Sequence, residues 1–282
     1  MLRYNGAMPL VSVIIPTYNR AEQLDRAVKS VFNQTFKDFE LIVVDDGSTD
    51  NSAETLNRYD GLVRCIRQEN RGVSSARNLG ISDARGDILA FLDSDDEWLP
   101  EKLARQLELL RESNPFFICH TDEVWIRDGA RIPQKKQHRK QGGRFFPRAL
   151  RLCLISPSSV IITRCLLDRV GWFDEDLIAA EDYDLWLRIT AFHHVDFVPK
   201  PLVIKHGGHP DQLSRTVPSI DRFRIKAIEK TLANPELNPD HREAAIMELM
   251  RKCEIFASGC YKRGKKTEAK HYRELARSYA PG

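Results

Sequence analysis

No run of about 18 apolar residues, the length a bilayer-spanning helix needs, occurs in the 282 residues, and the opening MLRYNGAMPL lacks the apolar stretch of a secretory leader. The chain is therefore expected to work in the cytoplasm, at most peripherally on the inner face of the membrane. Its six cysteines include no CxxC and no paired histidine spacing, which excludes a zinc ribbon or a disulfide frame and leaves reduced core thiols. Excess charge of one sign is also missing. Lys and Arg number 43 against 40 Asp and Glu, a net +3, too little for general attraction to nucleic acid. No GxGxxG follows the first apolar run, which argues against a dinucleotide dehydrogenase.

What the chain does have is ILAFLDSDDEW at Ile88–Trp98. Five apolar residues stop abruptly in Asp93, Asp95, Asp96 and Glu97. The apolar part reads as a strand buried on both faces. Acids packed this closely repel one another unless a cation sits among them, and hard oxygen ligands suit Mg²⁺ or Mn²⁺. The competing reading is a polar turn in which Asp95 or Asp96 caps the next helix.

Leu10–Ile15 reads as a first strand stopped by Pro16, and Ala21–Gln34 as a helix with Leu24, Val28, Val31 and Phe32 at helical spacing. Phe39–Val44 is a second strand, Leu62–Ile66 a weaker third, and Gly72–Ser82 and Pro100–Glu112 are helices. Beyond them come a strand at Phe116–Ile126, a polar insertion over 127–148, a strand at Ser159–Thr163, a helix at Asp182–Phe192 and short strands at Val195–Val198 and Leu202–Ile204. This alternation predicts an α/β fold, a doubly wound, mostly parallel sheet flanked by helices. From about Ser219 helix formers take over. Three helices are expected there, so residues 1–216 form the α/β domain and 217–282 an α-helical C-terminal extension that packs on it or supports a homodimer.

Two strands end in acids, Val44 in Asp45-Asp46 and Leu92 in Asp93-Ser94-Asp95. In a parallel sheet both ends share one edge with Pro16-Thr17-Tyr18-Asn19, and open α/β sheets bind ligands at that edge. Asp46 can accept from a base or ribose, Tyr18 offers an aromatic flank, and Asp95 can hold a cation that bridges a diphosphate.

VSVIIPTYNR, ELIVVDDGSTDNS, NRGVSSARNLGI, LDSDDEWLPEKL, VGWFDEDLIAAEDYDLWLRI and PLVIKHGGHPDQLSRT resemble, in order and spacing, the successive signatures of the family 2 glycosyltransferases. The resemblance covers roughly residues 9–216. It implies a GT-A fold and inverting transfer from a nucleotide-diphosphate sugar, UDP by family habit, to a glycan or lipid-linked acceptor in surface-glycan synthesis. It places Thr17, Tyr18, Asp46 and Arg77 around the base and Asp93 near the ribose. Asp95 would hold Mn²⁺ or Mg²⁺, with His209 a second ligand and His206 beside it. Asp182 is implied as general base, with Glu181 as its fallback. A non-catalytic nucleotide-sugar scaffold and a sugar nucleotidyltransferase are the alternatives. The second would need a Gly-rich, basic phosphate loop where PTYNR stands.

Other residues read as structural. Asp45 belongs to a turn, Asp96 and Glu97 to a cap and loop, and Trp172, Phe173 and Trp186 to the core, unless one stacks on an acceptor sugar. The insertion is strongly basic, with Asp128 its one acid between Arg127 and Arg148. Lys135, Lys136, Arg139 and Lys140 are read as a solvated loop or as an attractant for an anionic acceptor or membrane surface.

Overall fold

A computed structural model describes residues 9–111, 114–208, 217 and 219–280. A nine-stranded sheet runs through them. Its parallel half is β3 (Arg64–Arg67), β2 (Phe39–Asp45), β1 (Val11–Thr17) and β4 (Ile88–Phe91), in that order. The sheet continues through β8 (Val160–Thr163), β6 (Ile118–Arg127), β9 (Asp196–Gly207) and β5 (Glu97–Trp98), with β7 (Ala130–Ile132) paired to β6. In this half β6 and β9 are parallel, while β8 runs against both β4 and β6.

Alternation of side chains distributes the strands' apolar residues to two cores. Val11, Val13 and Ile15 pack with Leu24, Val28 and Val31 of α1 (Ala21–Phe32) and Leu103 of α4 (Lys102–Leu107). On the other face, Ile14, Leu89 and Phe91 meet α5 (Phe146–Arg151), α6 (Arg164–Val170) and α7 (Glu181–Thr190). That second core also takes Ile225 and Ile228 from α8 (Asp221–Leu232), Leu249, Cys253 and Phe256 from α9 (Pro239–Lys262), and Ala269 from α10 (Lys266–Ser278). The C-terminal helices thus bury their apolar stripes in the same core as the sheet. Lys230 of α8 ties them further, pairing with Asp174 and with Asp184 of α7.

The structure corrects several boundaries. β1 runs through Pro16 because even-numbered residues of β1 face β4, whose pairing stops at Ile14–Phe91, so proline's missing N–H costs no ladder bond. Glu97–Trp98, read as cap and loop, is strand β5 on β9. The helix expected over 100–112 is only Lys102–Leu107 and ends in i→i+3 turns at Leu109 and Leu110. The two short strands after residue 195 are one strand, β9, with register shifts opposite Thr121–Glu123 that absorb Pro199 and Pro201. The insertion is not a plain loop. It forms the β6–β7 hairpin and returns to pair Gly143 with Val195. Cys65 and Cys165 are exposed instead of buried. No helix among the described residues is long and apolar enough to cross a membrane.

The helix α3 (Val73–Asp83) lies close on the sheet because Gly80 leaves room: a methyl there would sit 2.5 Å from Ile14 Cγ2 and 3.3 Å from Val44 Cγ2. Ile14 is buried and β-branched, so it cannot swing aside. Overpacking of about 1–3 kcal/mol, set against the roughly 1 kcal/mol that alanine gains in helix propensity, should make Gly80→Ala less stable by up to about 2 kcal/mol. A lowered urea midpoint at unchanged slope is the expected result; a raised midpoint contradicts the close packing.

Candidate active site

A cleft of about 770 Å³ opens at the C-terminal edge of the parallel strands, a size suited to a small-molecule ligand. Thr17, Tyr18, Asp46, Arg77, Asp93, Asp95, Glu181 and Asp182 all line it. His209 lies outside the described residues.

At one end, Tyr18 stands with 46% of its surface exposed beside Thr17, whose Oγ1 is buried and without a hydrogen-bond partner among the described residues. Asp46 Oδ1 accepts from Arg71 N–H at 2.9 Å and Gln68 Nε2 at 2.7 Å, and Oδ2 from Gly72 N–H at 2.9 Å. A carboxylate offers about four acceptor positions, so one remains for a ligand. The neighbouring Asp45 accepts from Ser48 N–H at 2.8 Å and holds the turn, as its sequence context suggests. Asn19, at φ 51°, accepts from Thr49 N–H and so ties the end of β1 to the loop after β2.

The middle of the cleft is a network of buried charges. Arg77, 3% exposed, donates from Nη2 to Asp93 and from Nη1 to Glu181, both at 2.7 Å, and lies 5.0 Å from the centre of the Phe173 ring. After Asp93 the chain turns tightly, Asp96 N–H donating to Asp93 C=O. Ser158 clamps this turn: its hydroxyl donates to Asp96 Oδ2 at 2.6 Å and accepts from Asp93 N–H at 3.1 Å. Lys205 of β9 reaches in from the other side, 3.1 Å from Asp96 and 4.0 Å from Asp93. Asp96 is therefore not a surface cap but a buried anchor. Burial, together with Asp95 and Asp93, pushes it up to about 7 despite Lys205. Burial also raises Asp93, but Arg77 and Lys205 outweigh it and hold that carboxyl below its usual range. Burial and then Asp93 push Asp95 upward.

Glu181 and Asp182 open α7, where the helix dipole favours anions. The preceding Ala180 is left-handed at φ 61°, a conformation that costs a non-glycine residue about 1–3 kcal/mol and that recurs at functional sites. Asp182 Oδ1 accepts from Tyr183 N–H at 2.7 Å, and Oδ2 from the Cys153 thiol at 3.3 Å. Burial and the facing Asp182 push that thiol well up, so it remains an S–H donor at neutral pH. Burial and Asp182 likewise raise Glu181, against the pull of Arg77.

Beyond Lys205 the cleft reaches β6. Glu123, buried, accepts from Lys140 Nζ at 2.8 Å, Ser156 Oγ at 2.7 Å and Trp125 Nε1 at 2.8 Å. Lys140 is thus withdrawn from the basic loop in which the sequence placed it, while Lys135, Lys136 and Arg139 stay exposed. His206 is likewise part of β9 and not of a loop, its Nε2 2.6 Å from Glu97 Oε1. Phe173 and Trp186 are core residues.

Among the described residues no three His, Cys, Asp or Glu side chains converge as a metal cage. The residues nonetheless fit Mg²⁺ or Mn²⁺ in another way. Burial and then Asp93 disfavour charge on Asp95, against the pull of Lys205 and Arg20, and these ions commonly bind one or two carboxylates together with substrate phosphates.

Sequence reasoning missed Lys205, Glu123, Ser158 and Cys153, and placed Lys140 in a basic loop. Lys205 carried a signal, since a charged residue directly after the apolar run Leu202–Ile204 is costly to bury unless paired. The pairing itself needs the fold.

A family profile described as Glycosyl transferase family 2 matches residues 12–171. The chain is 32% identical over 196 residues, 67% of its own length and 73% of the relative's, to UDP-Glc:alpha-D-GlcNAc-diphosphoundecaprenol beta-1,3-glucosyltransferase WfgD of Escherichia coli. Among solved structures it resembles S. aureus TarS 1–349 in complex with UDP-GlcNAc, at TM-score 0.65 and 20% identity over 95% of this chain and 91% of that one. It also resembles the mannosyltransferase PcManGT from Pyrobaculum calidifontis in complex with GDP-Man and Mn²⁺, at TM-score 0.62 and 18% identity over 98% and 77%.

The Glu123–Lys140 pair yields a pH prediction. Burial alone would raise Glu123, but Lys140 and then Lys205 bring it from an ordinary 4.5 to about 2. A depressed carboxylate stabilises the fold fully above its unfolded pKa and loses that contribution as pH falls from about 4.5 towards 2. In Lys140→Met the buried carboxylate loses its partner, at a cost of about 3–5 kcal/mol near neutrality. Protonation then relieves the variant. The gap in melting temperature between wild type and Lys140→Met should narrow as pH is lowered from 8 to about 5; a gap independent of pH contradicts the pairing.

Proposed function

The chain belongs to glycosyl transferase family 2, and from that premise we propose an inverting, metal-assisted transfer from a UDP-sugar to a hydroxyl of a lipid-linked glycan. One observation carries the reading. A single cleft gathers a nucleotide-sized end at Thr17, Tyr18 and Asp46, an acidic turn at Asp93–Asp96, and a carboxylate pair at the start of α7. UDP and the diphosphate-linked acceptor are supported by the specificity in the name of the E. coli relative, and a divalent cation by the Mn²⁺ complex of the similarly folded P. calidifontis mannosyltransferase.

Each group has a task in this reading. Tyr18 flanks the base, the free acceptor position of Asp46 takes a base or ribose donor, and the unpartnered Thr17 hydroxyl finds its partner in the nucleotide. Asp93, oriented by Arg77 and Ser158, faces the ribose, with Arg77 forming the floor of this pocket. Asp95 would hold the cation, with His209 as the candidate second ligand. When bound, the metal supplies Lewis-acid compensation for charge on the departing diphosphate.

The acceptor hydroxyl attacks the anomeric carbon as the bond from that carbon to the diphosphate oxygen breaks, through an oxocarbenium-like transition state. The hydroxyl proton passes to Asp182. Cys153 and the Tyr183 amide each occupy one Asp182 oxygen and fix the carboxylate's direction. Glu181, held by Arg77, cannot swing freely, and this favours its neighbour as the base. One displacement inverts the anomeric centre.

Asp182→Ala should lower kcat by about 10²–10⁴-fold, the usual worth of general-base catalysis, while UDP binds as in wild type. Asp95→Ala should abolish the Mn²⁺ dependence of UDP affinity. Full transfer by Asp182→Ala would remove Asp182 from the mechanism, and unchanged Mn²⁺ dependence in Asp95→Ala would remove the metal assignment.

A further inference from the structure

The reading above leaves the β6 end of the cleft unused. In sheet order β1 and β6 are three steps apart, about 14 Å at ordinary strand spacing, so Trp125 is remote from the nucleotide end at Tyr18. Trp125 lines the cleft and is partly exposed. It is also fixed. Its indole N–H donates to Glu123 Oε1 at 2.8 Å, its backbone pairs with Ile132 across the hairpin, and its ring lies 6.2 Å from that of His138. Gln134 Nε2 donates to the Glu123 carbonyl at 2.8 Å and locks the hairpin over this position.

Trp125, Glu123 and Lys205 face the same side of the sheet. The first two are at positions i and i+2 of one strand, and Trp125 is the register partner of Lys205 in the parallel β6–β9 pair. An indole plane held rigidly beside buried charged groups offers an apolar face with hydrogen-bonding groups around it. A pyranose is complementary to that arrangement: one face of C–H bonds to lie on the negative face of the aromatic ring, and a rim of hydroxyls for polar neighbours. A rigid aromatic also loses little conformational entropy on binding.

We infer that Trp125 is the platform for the acceptor's terminal pyranose, carried on a lipid diphosphate, at the end of the cleft opposite the nucleotide. The inference rests on the proposed donor and base sites, since the acceptor must lie beyond them. Trp125 sets acceptor affinity and leaves donor affinity alone. Glu123, held by Lys140, Ser156 and Trp125, orients the platform.

The test measures two dissociation constants in the presence of Mn²⁺, for UDP alone and for a synthetic α-GlcNAc diphosphate with a short alkyl tail in saturating UDP. Trp125→Ala should weaken the acceptor analogue by about tenfold and UDP by less than twofold. Trp125→Phe, which keeps the ring face and loses the N–H, should recover to within about threefold of wild type. Unchanged analogue affinity in Trp125→Ala, equal weakening of both ligands, or no binding of the analogue by wild type overturns the platform and leaves the donor reading standing. Failure of wild type to bind UDP overturns the donor reading and the platform together.

Discussion

The site depends on one buried guanidinium. Arg77 joins Asp93, just past the end of a sheet strand, to Glu181, which lies 104 residues beyond Arg77 itself at the start of α7. Glu181 could not be buried there without it, because an unpaired buried charge costs several kcal/mol. Arg77 gets into position because α3 lies close to the sheet, and Gly80 permits that approach. A residue without a side chain thus sets the distance between the half of the cleft at Asp46 and Asp93 and the half at Glu181 and Asp182.

Charges of alternating sign continue from that tie across the cleft: Glu181, Arg77, Asp93 with Asp96, Lys205, Glu123 and Lys140. Such a chain gives weak net stability, since desolvation offsets most of the attraction. Its gain is in orientation. Each side chain has one low-energy position, and the cleft is formed before any ligand arrives. Burial and then Asp93 raise Asp95 against the pull of Lys205 and Arg20, and a cation at the turn would relieve that remaining cost. Membership of the transferase family leaves the scaffold and nucleotidyltransferase alternatives without support.

Much of this was legible in the sequence, and for identifiable reasons. β1, β2 and β4 are short and apolar, with Pro16, Asp45 and Asp93 at or just past their C-terminal ends, so both the parallel sheet and its ligand-binding edge could be read from period and punctuation. The acids at those strand ends converge as topology requires. Lys205, Glu123 and Lys140 were not legible as a set, because their meaning lies in pairing across β6, β9 and the insertion, and no local pattern encodes a register with a bulge at Asp122. Asp96 was misread for a related reason: its neighbours suggest a cap, and only Ser158 and Lys205 make it an anchor. The change in composition near residue 217 is real, yet α8 sends Arg224 into the cleft wall and its apolar face into the shared core.

The central claim is that this cleft takes a nucleotide diphosphate together with a cation at the acidic turn. A ligand that binds only the folded state stabilises it, by about 2.7 kcal/mol at a hundredfold excess over Kd. The direct measurement is the melting temperature with UDP, with Mn²⁺ and with both. The account predicts a rise of several degrees when both are present and much less with either alone. No shift with UDP, or the same shift in the presence of a chelator, would contradict it.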